Sequence, residues 1–403
     1  MGLQKGRNEG VIQFYRKYNF REEINVKRLK WVIKEIIKYI GIRCMSMVVS
    51  LLYVFPIKQN RIILHSFNGK QYSCNPRSIS EYIVKHYPNQ YEIIWAFNEP
   101  NKFLFLEKDG IKIVKYRSIK RIFYEATAQI SINNCGSYSW IPLRKKQMHI
   151  NTWHAGGAYK KLQNDIFVDA NRKKTAKETS HMLTSGTLFT KYMIQQTFNF
   201  EGEILKIGMP RNDVLFSEKD MNERAEKVKA FYKIPSDKFI VLYAPTWRFD
   251  GNIPQPDFNI ITDAIKKRFD REVVIFVRNH NYSNNKYSGA VDVSEYMDMQ
   301  DLLCTSDMLI TDYSSSIWDY SFTNRPCFLF VNDLEKYGAD PGFCTDIHNW
   351  GFPICLNNSE LCDAISSFDE RVFKQKMKEK HEYYGSYETG TATEKFCQLI
   401  LRK

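Results

Sequence analysis

The chain has no CxxC pair, although nine cysteines are scattered through its 403 residues, at Cys44, Cys74, Cys135, Cys304, Cys327, Cys344, Cys355, Cys362 and Cys397. An odd, unclustered set excludes a disulfide framework and a zinc-finger type of site, and fits free thiols in a reducing compartment. Also missing is an apolar stretch of the roughly 20 residues that a membrane-spanning helix needs. The longest apolar run, Met45 to Ile57, is shorter and carries Ser46 and Ser50. No secretory signal is expected, because the first thirty residues are polar and charged. There is no internal repeat, no low-complexity segment and no recognisable nucleic-acid-binding module. Acidic residues are in deficit: 45 Asp/Glu stand against 58 Lys/Arg, a formal net charge of +13. That excess predicts an anionic partner, which charge alone leaves open between nucleic acid, an acidic membrane surface and a phosphorylated substrate.

Most of the base is N-terminal. Residues 1–61 hold 13 Lys/Arg and 4 Asp/Glu, which accounts for +9 of the +13. Over residues 1–58, Trp31, Ile33, Ile36, Ile37, Ile40, Met45, Val48, Leu51 and Leu52 recur at helical spacing with Lys27, Arg28, Lys30, Lys34, Lys38 and Arg43 interleaved. This predicts a basic amphipathic helical segment lying on an anionic bilayer, the alternative being a helix packed on the body with a solvated basic face.

From Arg61 onward the pattern becomes strands alternating with helices. Arg61–Ser66, Tyr91–Phe97, Ile111–Val114, Gln129–Asn133, His149–Trp153, His181–Thr184 and Ile204–Lys206 form one series. After a Lys/Glu-rich helix near Glu218–Tyr232, Phe239–Ala244, Val273–Val277, Val291–Val293 and Met308–Thr311 form a second. Helices between successive strands imply parallel, doubly wound sheets, hence an α/β fold with Rossmann-type domains at 59–233 and 234–403 after the 1–58 segment. Two such sheets facing each other would line one cleft with their strand-end loops.

Three strand ends carry chemistry. In Thr152-Trp153-His154-Ala155-Gly156-Gly157-Ala158-Tyr159-Lys160-Lys161, a histidine stands at a strand tip before two glycines and two lysines. It is either a structural histidine or an imidazole able to take a proton from an attacking hydroxyl. Arg278-Asn279-His280 ends another apolar strand, where cation and imidazole would either meet a phosphate or form a salt bridge and a cap. Met308-Leu309-Ile310-Thr311-Asp312-Tyr313-Ser314-Ser315-Ser316 reads as strand, tight turn and helix start, so Thr311, Ser314, Ser315 and Ser316 would either cap the helix or cradle a phosphate. Thr246 and Arg248 add to the same rim, and Arg211 lies in Gly208-Met209-Pro210-Arg211-Asn212-Asp213. Asp312 has no partner carboxylate spaced for a metal, and no metal site is expected.

In order along the chain, these blocks, together with Arg325-Pro326, Asp333-Leu334-Glu335-Lys336-Tyr337 and Gly342-Phe343, resemble the CDP-glycerol glycerophosphotransferase family that builds teichoic acids. The likeness runs from about Arg61 to the C-terminus. It implies a GT-B-like pair of Rossmann-type domains and a metal-independent transfer of glycerol phosphate, or a related alditol phosphate from CDP-ribitol, releasing CMP. The acceptor would be a lipid-linked or polysaccharide hydroxyl at the cytoplasmic face of the membrane. The resemblance implies His154 as general base, His280 as a second essential imidazole, and Arg278, Thr311, Ser314 and Ser315 as pyrophosphate holders. Asp312, Ser316, Thr246, Arg248, Gly156, Gly157, Lys160 and Arg211 complete the candidate set. The sequence departs from the family in two places: a His154-Ala155-Gly156-Gly157 turn replaces an HGTP-type one, and Asn281 replaces a proline. Two other readings compete, a GT-B glycosyltransferase using a nucleotide sugar and a non-catalytic protein binding membrane or nucleic acid through its charge.

Overall fold

The computed structural model describes residues 40–136, 146–157, 176–246, 255–279, 287–339 and 342–401, with positions 33, 34, 37, 141, 144, 161, 248 and 253 between them. Lys160, Trp247, His280 and Asn281 fall outside that set. The chain divides into two units, Met1–Pro56 with Tyr138–Pro142, and Ile57–Ser137 with Leu143–Lys403. In the first, residues 40–50 are helical and run into a short 3-10 turn at Leu51–Val54. Ile40, Met47, Val48, Leu51 and Val54 there are exposed. Among the described residues no helix is long and apolar enough to cross a membrane.

The second unit holds two wholly parallel sheets. Strands β1 (Lys58–His65), β2 (Glu92–Phe97), β3 (Lys112–Lys115), β4 (Ala128–Asn133), β5 (Met148–Asn151), β6 (His181–Thr184) and β7 (Glu203–Lys206) form a seven-stranded sheet in the order 3-2-1-4-5-6-7. Strands β8 (Phe239–Ala244), β9 (Val273–Val277), β10 (Val291–Asp292), β11 (Met308–Thr311), β12 (Cys327–Phe330) and β13 (Ile354–Cys355) form a six-stranded sheet in the order 10-9-8-11-12-13. Continuous apolar runs such as Phe239-Ile240-Val241-Leu242-Tyr243-Ala244, buried at every position, belong in parallel strands covered on both faces. Strand order reverses between β1 and β4 in one sheet and between β8 and β11 in the other, and the loops beyond these switch points are where ligands bind in such folds.

The sheets fall on either side of residue 233, but helices are exchanged across that point. Met221 and Val228 of the helix Glu218–Tyr232 pack into the core of the second sheet. Phe396, Cys397 and Ile400 of the last helix, Ala392–Ile400, return to the core of the first. Asp213 fixes that return by accepting the Ala392 and Thr393 amides at 2.8 and 2.7 Å, an N-cap supplied from 179 residues earlier.

Candidate active site

The strand-end loops of both sheets open onto one crevice with an empty volume of about 560 Å³. Phe67, Gln71, Ser73, Cys74, His154 and Arg211 line it from the first sheet's side, and Arg278, Met297, Met299, Gln300, Ser314, Ser315, Ser316 and Asp319 from the second. Of the predicted site residues, the structure therefore brings together His154, Arg211, Arg278 and the three serines.

His154 is fixed by the loops around it. Asn134, just after β4, presents its backbone oxygen 2.7 Å from His154 Nδ1. A carbonyl only accepts, so Nδ1 carries the proton and the neutral ring has its lone pair on Nε2, the arrangement a general base requires. The Asn134 loop is itself pinned, since the Asn133 side chain accepts from the amides of Cys135 and Gly136. Trp153 packs against the imidazole at a tilt of 34° with centroids 4.1 Å apart, and Phe67 packs at 5.5 Å. Trp153 has φ +51°, a left-handed conformation that a bulky residue rarely adopts. The Asn75 side chain bonds the carbonyls of Thr152 and Trp153 at 3.2 and 3.1 Å and so braces that strained peptide directly before the histidine.

On the opposite wall Arg278 follows β9. Its side chain is half-buried, its Nη1 is enclosed without a partner among the described residues, and Nη2 reaches only the Met297 carbonyl at 3.5 Å. Burial holds its pKa below the usual arginine value, with the carboxylates of Asp298 and Asp301, themselves paired with Arg77, opposing. A desolvated guanidinium with one N–H edge left without an acceptor is suited to an anion. Ser314 and Ser315 are part-exposed beside it, and Ser314 Oγ accepts from the Ser316 amide and hydroxyl at 3.3 and 2.9 Å. The helix that follows, Ser316–Ser321, has six residues, so its dipole is small beside the hydroxyls and the Arg278 charge on this wall.

The other candidates serve the walls from behind. Thr311 is fully buried and donates to the Ala244 carbonyl at 2.6 Å, tying β11 to β8. Asp312 accepts from the Thr246 amide and hydroxyl and the Tyr313 amide, and pairs with Arg248 at 2.9 Å. Arg248 also pairs with Asp333 at 2.8 Å and lies over the rings of Tyr313 and Tyr337. Thr246, Arg248 and Asp312 thus form a closed network that joins the ends of β8 and β11. The glycines after His154 answer to packing rather than to a turn, neither being at positive φ. A Cβ on Gly157 would lie 2.2 Å from Trp318 Cγ, and one on Gly156 would touch Met209 and Ser185.

Arg211 sits in the crevice wall, yet its guanidinium is committed to Asp319, with Nε and Nη2 at 2.9 to 3.1 Å from both oxygens. Burial disfavours its charge, but Asp319 and the Cys74 sulfur at 3.6 Å more than offset this and hold its pKa up. Asp319 receives Arg211 and Asn212 from across the crevice as well as Gln300 at 3.1 Å. Asn75, Met297, Met299, Gln300 and Asn134 were not singled out from the sequence, because each matters through a contact distant along the chain. Only Asn134, two residues before the positive-φ glycine Gly136, had a local signal that could have been followed.

This geometry has close counterparts. The chain is 30% identical over 383 residues to the teichoic acid poly(glycerol phosphate) polymerase of Bacillus spizizenii, covering 89% of this chain and 96% of that protein. It is 29% identical to the teichoic acid glycerol-phosphate transferase of Staphylococcus aureus over 92% of this chain and 100% of that one. Among solved structures, a variant of the wall teichoic acid polymerase TagF superposes with a TM-score of 0.75 at 27% identity, covering 91% of this chain and 95% of that one, so the paired sheets are the GT-B-like arrangement. The profile of the CDP-glycerol:poly(glycerophosphate) glycerophosphotransferases matches residues 47–402, and the chain belongs to that family.

Proposed function

We propose that the chain transfers glycerol phosphate from CDP-glycerol to a hydroxyl of a lipid-linked or polysaccharide acceptor, with His154 as general base and Arg278 and the serine wall as the pyrophosphate holders. Family membership supports the reaction. The observation that carries the assignment of roles is the pairing, across one crevice, of an imidazole whose Nδ1 is held by a carbonyl with a guanidinium whose enclosed Nη1 has no acceptor among the described residues. In this reading the acceptor hydroxyl gives its proton to His154 Nε2 as its oxygen bonds to the phosphorus that bears glycerol. The bond from that phosphorus to the bridging oxygen breaks, and CMP leaves with the electron pair. Negative charge growing on the phosphoryl oxygens meets Arg278 and the hydroxyls of Ser314 and Ser315, donors already oriented before reaction. His280, beyond the described residues, is proposed on the family's likeness alone as the imidazole nearest the departing oxygen.

The N-terminal segment supports a membrane-borne acceptor. Ile33, Ile37, Ile40, Met47 and Leu51 are 47 to 74% exposed at spacings of three, four or seven residues, a stripe suited to a headgroup layer, on a stretch with strong positive charge. A donor panel of CDP-glycerol, CDP-ribitol and UDP-sugars, run with acceptor in anionic vesicles, tests both readings. CMP with a product heavier by one glycerol phosphate, from protein that pellets with the vesicles and is released by salt, is the expected result. Ribitol phosphate transfer, sugar transfer or protein left in the supernatant would each overturn the corresponding part.

A further inference from the structure

Behind the His154 loop lies a second cavity, lined by Gly156, Gly157, Ser185, Asp319, His381 and Glu388 among others, with room for little more than a water molecule. Glu388 is enclosed at its inner end. Its Oε1 accepts from the Met209 amide at 3.0 Å and from Asn212 Nδ2 at 3.2 Å, while Oε2 has no partner among the described residues. Gly208, at φ +89°, makes the space: a Cβ there would come 2.8 Å from Glu388 Oε2. Asn212 also donates to Asp319 at 3.1 Å, and Asp319 holds Arg211 in the crevice wall. The carboxyl therefore touches, through one amide side chain, the buried pair that joins the two walls of the active site.

We propose that Glu388 is a positioning residue that works as a neutral acid: uncharged, it lets Asn212 hold Asp319 and Glu388 together, and ionised, it pushes Asp319 off and loosens the Arg211 side of the crevice. Two anions sharing one amide donor in a desolvated site repel each other strongly, whereas an acid and an anion do not. Burial pushes the Glu388 carboxyl up to about 8, with Asp319 and Asp213 adding to the rise and the Met209 amide and Arg211 opposing it. The other titratable groups that face it are His381, Tyr384 and Asp213. His381 is pushed down to about 4 by burial, the Tyr384 phenol is raised by burial, and Asp213 is engaged as the cap of the last helix. The pair Gly208 and Glu388 thus gives the Gly208–Asp213 motif a purpose apart from substrate contact.

The sign follows from linkage. A carboxyl whose folded-state pKa is raised stabilises the fold most below its unfolded value, near 4.5, and that contribution is lost as pH climbs to about 8. The activity part of the test rests on the transferase reading above; the stability part does not. The Tm of wild-type protein and of Glu388→Gln is measured from pH 5 to pH 9, alongside CMP release from CDP-glycerol. The Tm gap in favour of the glutamine variant should widen steadily up to about pH 8 and then level off. Wild-type turnover should fall several-fold between pH 7 and pH 9, while Glu388→Gln, near wild-type at pH 7, should lack that fall; Glu388→Ala should be slow throughout. A Tm gap that does not change with pH, or a fall in turnover that persists in the glutamine variant, overturns the proposal. Absence of CMP release by wild-type protein at every pH would refute the transferase reading, leaving the Tm comparison to judge Glu388.

Discussion

His154→Ala loses transfer activity by about 10²- to 10⁴-fold, the range that removal of a general base produces, while its Tm stays within a few degrees of wild type. The part-exposed imidazole bonds the Asn134 carbonyl and packs against Trp153 and Phe67, so its loss leaves no buried charge behind. Because proton removal from the acceptor occurs in the transition state, the loss belongs in kcat with little change in donor affinity. Stopped-assay CMP release and donor binding by calorimetry separate the two. Full activity in His154→Ala would remove this residue from the reaction.

Arg278→Met behaves in the opposite way toward stability. It removes a guanidinium that is desolvated and that, among the described residues, has an unpartnered Nη1 and no carboxylate pair, so the folded protein sheds a cost and its Tm is equal to or above wild type. Activity should drop by about 10²- to 10³-fold, as when one preorganised oxyanion donor is removed, and donor affinity should drop with it, because the charge is present in ground and transition states alike. Arg278→Lys should restore little, since an ammonium lacks the planar fork. Thermal melts and kinetics on the same samples check this, and a destabilised but active Arg278→Met would show that the side chain is structural.

The fold was legible where residues repeat with a simple period. Phe239–Ala244, Val273–Val277, Met308–Thr311 and His181–Thr184 stand at the positions their apolar runs marked. Cys327–Phe330 and Ile354–Cys355 went unread as strands, the first because Cys-Phe-Leu-Phe is too short to separate from the helix before it, the second because two residues have no period. The exchange of the helices Glu218–Tyr232 and Ala392–Ile400 between cores was also invisible, since it depends on Asp213 finding amides that only the folded chain brings near.

The site divides along the same line. His154, Arg278 and the serines stood out because charged or reactive side chains at the ends of buried strands have few local reasons to be there. Arg248, Asp312 and Thr246 had the same appearance, but the sequence could not show that they satisfy one another. Nothing in the sequence around Asp319 marks that Arg211, 108 positions earlier, faces it. Gly157 stood in the candidate set beside the histidine, whereas its close neighbour is Trp318.

The most direct measurement is a crystal structure of the protein with CDP-glycerol bound. The account predicts pyrophosphate density against the Arg278 guanidinium and the Ser314 and Ser315 hydroxyls, with the glycerol-bearing phosphorus turned toward His154. Pyrophosphate bound away from Arg278, or a glycerol end directed to a wall without His154, would contradict it.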